Sequence, residues 1–263
     1  MSATTHVRPA PDASTRLRRA ALSLAVPLFG LLWVGGVLSR WLGGVRTDEG
    51  LLASLFLTTA GLIVLLGEGT TEGVVRLVAV ALLGFAVEAF GVRFRFPFGE
   101  YAYTDVLRPQ LLGVPVAMGF AWMTLVAFAS DFAGRLRLRP WLAAALAALL
   151  TTATDLVIDP LAAGRLGYWR WSDGGIYYGI PFTNFVGWFV TALLACRVLG
   201  ARGRPNFWAA FVGTAIVLFF ALNALALSLV PVALLGFALC AARLAAAARV
   251  KIDSRRESRY TGT

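Results

Sequence analysis

The sequence predicts an all-α fold: a polytopic membrane helix bundle of about eight transmembrane helices, or seven in the alternative count, with two structured interfacial loops. Three observations predict it. Of 263 residues 59% are hydrophobic and only 14% are charged, too little charge to clothe a soluble domain of this length. The apolar residues fall into runs long enough to cross a bilayer. The basic residues stand mostly between those runs and at the two ends.

Residues 1–19 are polar, with Pro9, Pro11, Arg16, Arg18 and Arg19, and are expected to be disordered or to lie on the membrane surface. The run 20–42 is too long for the apolar core of a signal peptide and lacks a small-residue cleavage site, so it reads as a retained first span. Spans at 51–66, 74–92, 111–132, 141–158 and 185–199 follow. The block 207–248 must turn, because at ~1.5 Å per residue a straight helix of that length would be about twice as long as a bilayer core is thick. Residues 228–231 are the expected place, since Pro231 lacks a backbone donor and disrupts the preceding turn. The chain thus divides into a polar tail (1–19), one transmembrane domain (20–248) and a basic tail (249–263).

Charge orients the bundle. With eight spans, 17 of the 24 basic residues fall on the side of the two termini and seven on the other, which predicts a multi-pass protein of the cell membrane with both termini cytoplasmic. The net charge of +10 therefore reads as topology and contact with anionic headgroups of membrane lipid. No nucleic-acid partner is expected, because no basic patch is set in a soluble recognition fold. Cys196 and Cys240 lie inside apolar runs, which argues against a disulfide framework or a zinc site. The single histidine, His6, stands in the polar tail, so a general acid within the membrane must be a carboxyl or a tyrosine. No GxxxxGK or GxGxxG phosphate loop is present, and no metal or cofactor is expected. Lys251, the one lysine, lies outside the spans, which disfavours a retinal Schiff base.

Two loops predicted on one side, 93–110 (RFRFPFGEYAYTDVLRPQ) and 160–183, carry the unusual residues. Glu88, Asp155 and Asp159 sit close to that side, and Asp155 and Asp159, four apart, share a helix face. One reading makes them structural, capping a helix or pairing with Arg93, Arg165 or Arg170. The other makes them functional, since ionisable groups within spans are rare and costly. Close carboxyls resist ionising together, which suits an acid-base pair: one member gives a proton and the other takes one from water. Tyr101, Tyr103, Tyr168, Trp169, Trp171, Tyr177, Tyr178 and Trp188 are either an interfacial belt or faces that stabilise a cation and pack along a flat conjugated ligand. Asn184 is expected to cap the sixth span or to orient a water, capping being the preferred role. Asn223 is expected to bond between helices.

The segments FPFGEYAYTDVLRPQLLGVPVAMGFAW (96–122) and DLVIDPLAAGRLGYWRWSDGGIYYGIPFTNFVGW (155–188) resemble the membrane-embedded carotenoid 1',2'-hydratases. That family includes bacterial enzymes acting on lycopene or γ-carotene and the archaeal bisanhydrobacterioruberin hydratase. The likeness runs from about residue 86 to residue 200, and Arg108 departs from it, standing where a small residue is expected before Pro109. The resemblance implies a carotenoid substrate of lycopene or γ-carotene type, water as co-substrate, no cofactor, and association with other carotenoid-pathway enzymes. The implied reaction adds water across the terminal isolated C=C of a ψ end group to give a tertiary alcohol. Protonation of the less substituted carbon leaves a tertiary cation without conjugation, so an acid, nearby π faces and an ordered water are required. On this reading Asp155 or Asp159 donates the proton and the other, or Glu88, positions water. Tyr168, Trp169, Trp171 and Tyr178 flank the cation, while Tyr101, Tyr103, Tyr177, Asn184 and Trp188 complete the substrate-binding set. Two rival readings remain: a membrane prenyltransferase-like lipid enzyme, which would need acidic clusters holding Mg²⁺ and a diphosphate, and a non-catalytic carotenoid binder or transporter, which would leave the mass of its pigment unchanged.

Overall fold

A computed structural model describes residues 13–43, 49–200 and 206–260, with side chains through residue 249. The first part of the polar tail with His6, the basic residues Arg46, Arg202 and Arg204, and the side chain of Lys251 lie outside the described residues. The helices are α1 (Ala13–Trp41), α2 (Glu49–Gly67), α3 (Thr71–Phe94), α4 (Ala117–Gly134), α5 (Pro140–Asp159), α6 (Phe182–Leu199), α7 (Phe207–Ala226) and α8 (Val230–Tyr260). Each contains a stretch long and apolar enough to cross a membrane. The expected bundle is present, with eight such helices among the described residues.

α1 begins at Ala13, earlier than the first apolar run, and its early arginines have a use: the Arg18 side chain donates to the Leu66 carbonyl at the end of α2, a group the helix itself leaves unbonded. The break between α7 and α8 falls at 227–229, as the length argument requires. Ser228 takes a left-handed conformation (φ 60°) and the Leu229 N–H donates back to Ala224 O at 2.8 Å. Pro231 then stands in the first turn of α8, where a missing N–H leaves no intrahelical bond unmade.

The fourth span is shorter than expected. It starts at Ala117, and the apolar residues before it form a hairpin of β2 (Gln110–Leu111) and β3 (Val114–Pro115). Leu112 and Gly113 both take positive φ (55° and 77°), the geometry of a two-residue hairpin turn. Hydrophobicity alone could not separate such a hairpin from a helix.

α4 is the axis of the bundle, packed on α2, α3, α5, α6 and α7. Glycines on three neighbours receive its aromatic side chains: Gly61 of α2 meets Phe120, Gly84 of α3 meets Trp122, and Gly213 of α7 meets Phe128. Small residues that admit a bulky partner are how helices approach closely where lipid offers no hydrophobic driving force. At one end of the bundle Asp131 of α4 accepts from Arg135 (3.0 and 3.1 Å), from Arg243 of α8 (2.7 Å) and from the Asn206 backbone N–H before α7 (3.1 Å). This clamp ties three helices together.

The other end holds the two unusual loops, and they are joined. β1 (Tyr101–Tyr103) pairs antiparallel with β4 (Trp169–Trp171) in the register Tyr101↔Trp171, Ala102↔Arg170, Tyr103↔Trp169. Side chains of a strand alternate between its two faces, so Ala102 and Arg170 point outward and four aromatic rings point into the bundle. α5 reaches β4 through a π-helical turn, Pro160–Arg165, in which Leu166 N–H donates to Leu161 O five residues back at 2.9 Å. Pro160 is its cause: without an N–H it cannot bond the Leu156 carbonyl. That carbonyl accepts instead from the Tyr177 hydroxyl at 2.8 Å.

Candidate active site

Glu88 of α3 is 3% exposed, and Asp155 and Asp159 of α5 are 1% exposed each. Among the described residues none of the three has an ion-pair partner, so pairing with Arg93, Arg165 or Arg170 does not explain them. Hydrogen-bond donors satisfy them instead. Glu88 Oε2 accepts from the hydroxyls of Tyr101 (2.5 Å) and Tyr103 (2.9 Å), and its Oε1 accepts from Trp122 Nε1 (2.9 Å). Asp159 Oδ1 accepts from Trp169 Nε1 (2.8 Å) and Trp171 Nε1 (3.2 Å). The β1–β4 ladder makes this possible: its period of two puts both phenols over Glu88 and both indoles over Asp159.

Asp155 and Asp159 do share a helix face, and one side chain holds both. Asn184 Nδ2 donates to Asp155 Oδ2 and to Asp159 Oδ2, each at 2.9 Å, using the two protons of one amide. The expected capping role for Asn184 is therefore overturned. α6 has Pro181 at its cap, with no side-chain bond there, and Asn184 lies a turn inside, buried, facing α5.

Between Glu88 and Asp159 lies a cavity of about 20 Å³, walled by the four strand aromatics, Phe98, Met118, Asn184 and Trp188. That is the scale of a single water. Trp188 stacks on Trp122 with ring centroids 4.1 Å apart, which fixes the indole that donates to Glu88. Trp122 was not singled out among the candidate residues. Its signal was an indole inside an apolar span, since a buried Trp N–H seeks an acceptor.

Three predicted aromatics do not join the cavity. Tyr168 stands one residue before β4, outside the alternation that turns Trp169 and Trp171 inward, and lines a different pocket. Tyr177 spends its hydroxyl on the Leu156 carbonyl. Tyr178 (φ 53°) and Gly179 (φ 80°) form the tip of a tight turn closed by Ile180 N–H to Tyr177 O at 2.9 Å, which leaves Tyr178 46% exposed. Tyr168 and Tyr178 are thus not placed to flank a cation in this cavity, whereas Trp169 and Trp171 are.

The phenols have a defined state. Burial, reinforced by the charge of Glu88, pushes Tyr101 and Tyr103 well above the ordinary tyrosine value, so both remain O–H donors. Burial pushes Tyr177, further out, up to about 12.

This constellation can be set beside known proteins. The family described as carotenoid biosynthesis protein matches residues 50–250, most of the chain. The chain belongs to the carotenoid biosynthesis protein family. The match takes in α2 to α7, most of α8, and the whole carboxyl and aromatic site. The chain is also similar to bisanhydrobacterioruberin hydratase of Haloarcula japonica, 34% identical over 124 residues. That alignment covers 45% of this chain and 42% of the relative, so the chain matches less than half of that hydratase's length. No solved structure matches.

Proposed function

We propose that this protein is a carotenoid 1',2'-hydratase, adding water to the terminal double bond of a ψ end group to give a tertiary alcohol. The observation that carries this reading is the water-sized cavity between Asp159 and Glu88, two carboxyls that face each other from different helices. Membership of the family and the likeness to a named hydratase support it.

Asp155 and Asp159, bridged by the Asn184 amide, share one proton, and Asp159, which borders the cavity, delivers it to the less substituted alkene carbon. The tertiary cation forms on the other carbon, against the faces of Trp169 and Trp171. Water attacks that carbon, the new C–O bond forms, and the water's second proton goes to Glu88, which Tyr101, Tyr103 and Trp122 hold in place. Each turnover ends with the proton moved from the aspartate pair to Glu88, and exchange with solvent restores it. Cation–π attraction in a desolvated site contributes ~2 kcal/mol per ring, about thirtyfold in rate, so most of the acceleration falls to the placed acid. An end group is larger than one water, and entry requires the wall of aromatic rings to part.

The prenyltransferase reading is disfavoured by the direction of the hydrogen bonds. Indole, phenol and amide donors already point at the carboxyl oxygens that would have to bind Mg²⁺. The finer topology belongs to the same proposal: a cell-membrane protein of one transmembrane domain with short tails, both termini cytoplasmic, and the site at the opposite rim. A carotenoid, a rod of roughly bilayer length, would present its end group there.

The test is pigment analysis from a lycopene-producing host carrying the chain. The expected product is lycopene plus one or two waters. Asp159→Asn and Asp155→Asn should lower it by about 100-fold or more, with membrane insertion unchanged. Full product from both variants would overturn the mechanism, and pigment of unchanged mass from the wild type would favour a passive binder.

A further inference from the structure

A second pocket, larger than the first, opens beside the site. It has a volume of about 300 Å³ and is walled by α1, α2, α7 and the π-helical turn, a size suited to a lipid-like ligand. Leu161 of that turn lines it, as do Leu166 and Tyr168 just beyond the turn. Phe56, Phe219 and Phe220 give it flat walls, and its rim carries the Arg40–Glu49 ion pair at 3.2 Å.

Its one irregularity is Asn223. The sequence suggested a bond between helices, but Asn223 Nδ2 donates to Phe219 O within α7 at 2.9 Å. Asn223 lines this pocket on a side chain 4% exposed, and its Oδ1 is buried with no partner among the described residues, so an occupant reaches the oxygen only by displacing the side chains over it. A buried acceptor left unbonded is costly. The charges in its lining, Arg40 and Glu49, are paired with each other, so the pocket carries no net charge to draw an anionic headgroup or a carboxylate. What complements it is a long neutral apolar chain with one hydroxyl donor.

We infer that this pocket binds an isoprenoid chain ending in a hydroxyl group, with Asn223 Oδ1 accepting from that hydroxyl. The natural occupant that follows, and this part alone rests on the hydratase reading, is the hydrated carotenoid. The substrate end group is a hydrocarbon and cannot donate, whereas the product alcohol can. The pocket therefore distinguishes product from substrate and draws the product away from the acids.

The test measures binding to the full chain in lipid nanodiscs, with geranylgeraniol against the same hydrocarbon lacking its hydroxyl, and singly hydrated lycopene against lycopene. The alcohol of each pair is expected to bind about tenfold tighter. Asn223→Leu should reduce each alcohol to the level of its hydrocarbon. Equal binding within both pairs, or a preference that survives Asn223→Leu, overturns the proposal and leaves a water as the partner of Asn223. A preference shown by geranylgeraniol but not by hydrated lycopene overturns the product assignment while supporting the pocket. Should Asn223→Leu fail to fold, Ala53→Phe, which fills the pocket from α2, must abolish binding of all four probes, and unaltered binding overturns the proposal. Asp159→Asn should keep the preference while losing hydration. A wild-type chain that prefers alcohols but never hydrates lycopene supports the pocket and sinks only the function; one that hydrates but shows no preference sinks only the pocket.

Discussion

Asn184 has a single amide nitrogen and two aspartates to hold, and each of its N–H protons is committed to one of them. Asn184→Leu, of similar size, leaves both carboxyls without that donor. It should cost about 1–3 kcal/mol, read as a fall in thermal midpoint in detergent, and should lower hydration more than it lowers the amount of folded protein. Asn184→Asp would place a third carboxyl against the pair and should be worse than Leu. A variant that keeps both activity and midpoint would show that the bridging bonds do not matter. The residue types were visible in the sequence, since acids, indoles and an amide inside apolar runs are conspicuous. Their pairings were not. Asn184 two residues earlier or later would present another face, and nothing local announces which helix lies opposite.

Pro160 shows how one missing proton shapes an element. Because it cannot donate to Leu156 O, α5 widens into a π turn, the freed carbonyl takes the Tyr177 hydroxyl, and the chain reaches β4 with Trp169 and Trp171 aimed at Asp159. Pro160→Ala returns the donor and lets the α-helix continue. The expected result is hydration reduced by about tenfold or more while the thermal midpoint is unchanged or raised, since a proline inside a helix costs ~3 kcal/mol. Tyr177→Phe should do the opposite, lowering the midpoint by leaving a carbonyl unbonded with little effect on turnover. Hydrophobic runs located most helices because a bilayer demands length and apolarity and little else. They misplaced the start of α4, where 110–115 is apolar yet turns back on itself. They also could not foresee the β1–β4 ladder, whose strands are three residues each and lie far apart in the chain.

The molecule as a whole has two polar poles. One is the Asp131 clamp with Arg135 and Arg243, the other the acid and aromatic site, and no polar group is shared between them. Distant, independent sites act additively, so Arg243→Leu should lower stability by at most about 3 kcal/mol, Arg135 still facing Asp131, and should leave turnover per folded molecule unchanged. Alkaline pH probes the opposite pole. In the unfolded chain tyrosines ionise near 10.0, whereas burial and Glu88 hold Tyr101 and Tyr103 protonated well above that. Above pH 10 the unfolded state therefore binds fewer protons than the folded one, and stability falls as pH rises. The thermal midpoint should be flat from neutrality to about 9 and drop beyond 10, more shallowly in Tyr101→Phe.

From its amino acids alone this chain was bound to be a helical membrane protein with acids near one rim, because the bilayer punishes every charge and unbonded amide on the way through. Composition and run length express that penalty directly. The meeting of Glu88 with the phenols of one loop, of Asp159 with the indoles of another, and the solitary Asn223 oxygen beside an apolar pocket were decided by packing. The acids meet donors 10 to 15 positions away on other elements, and the energy of those contacts exists only once the elements stand side by side.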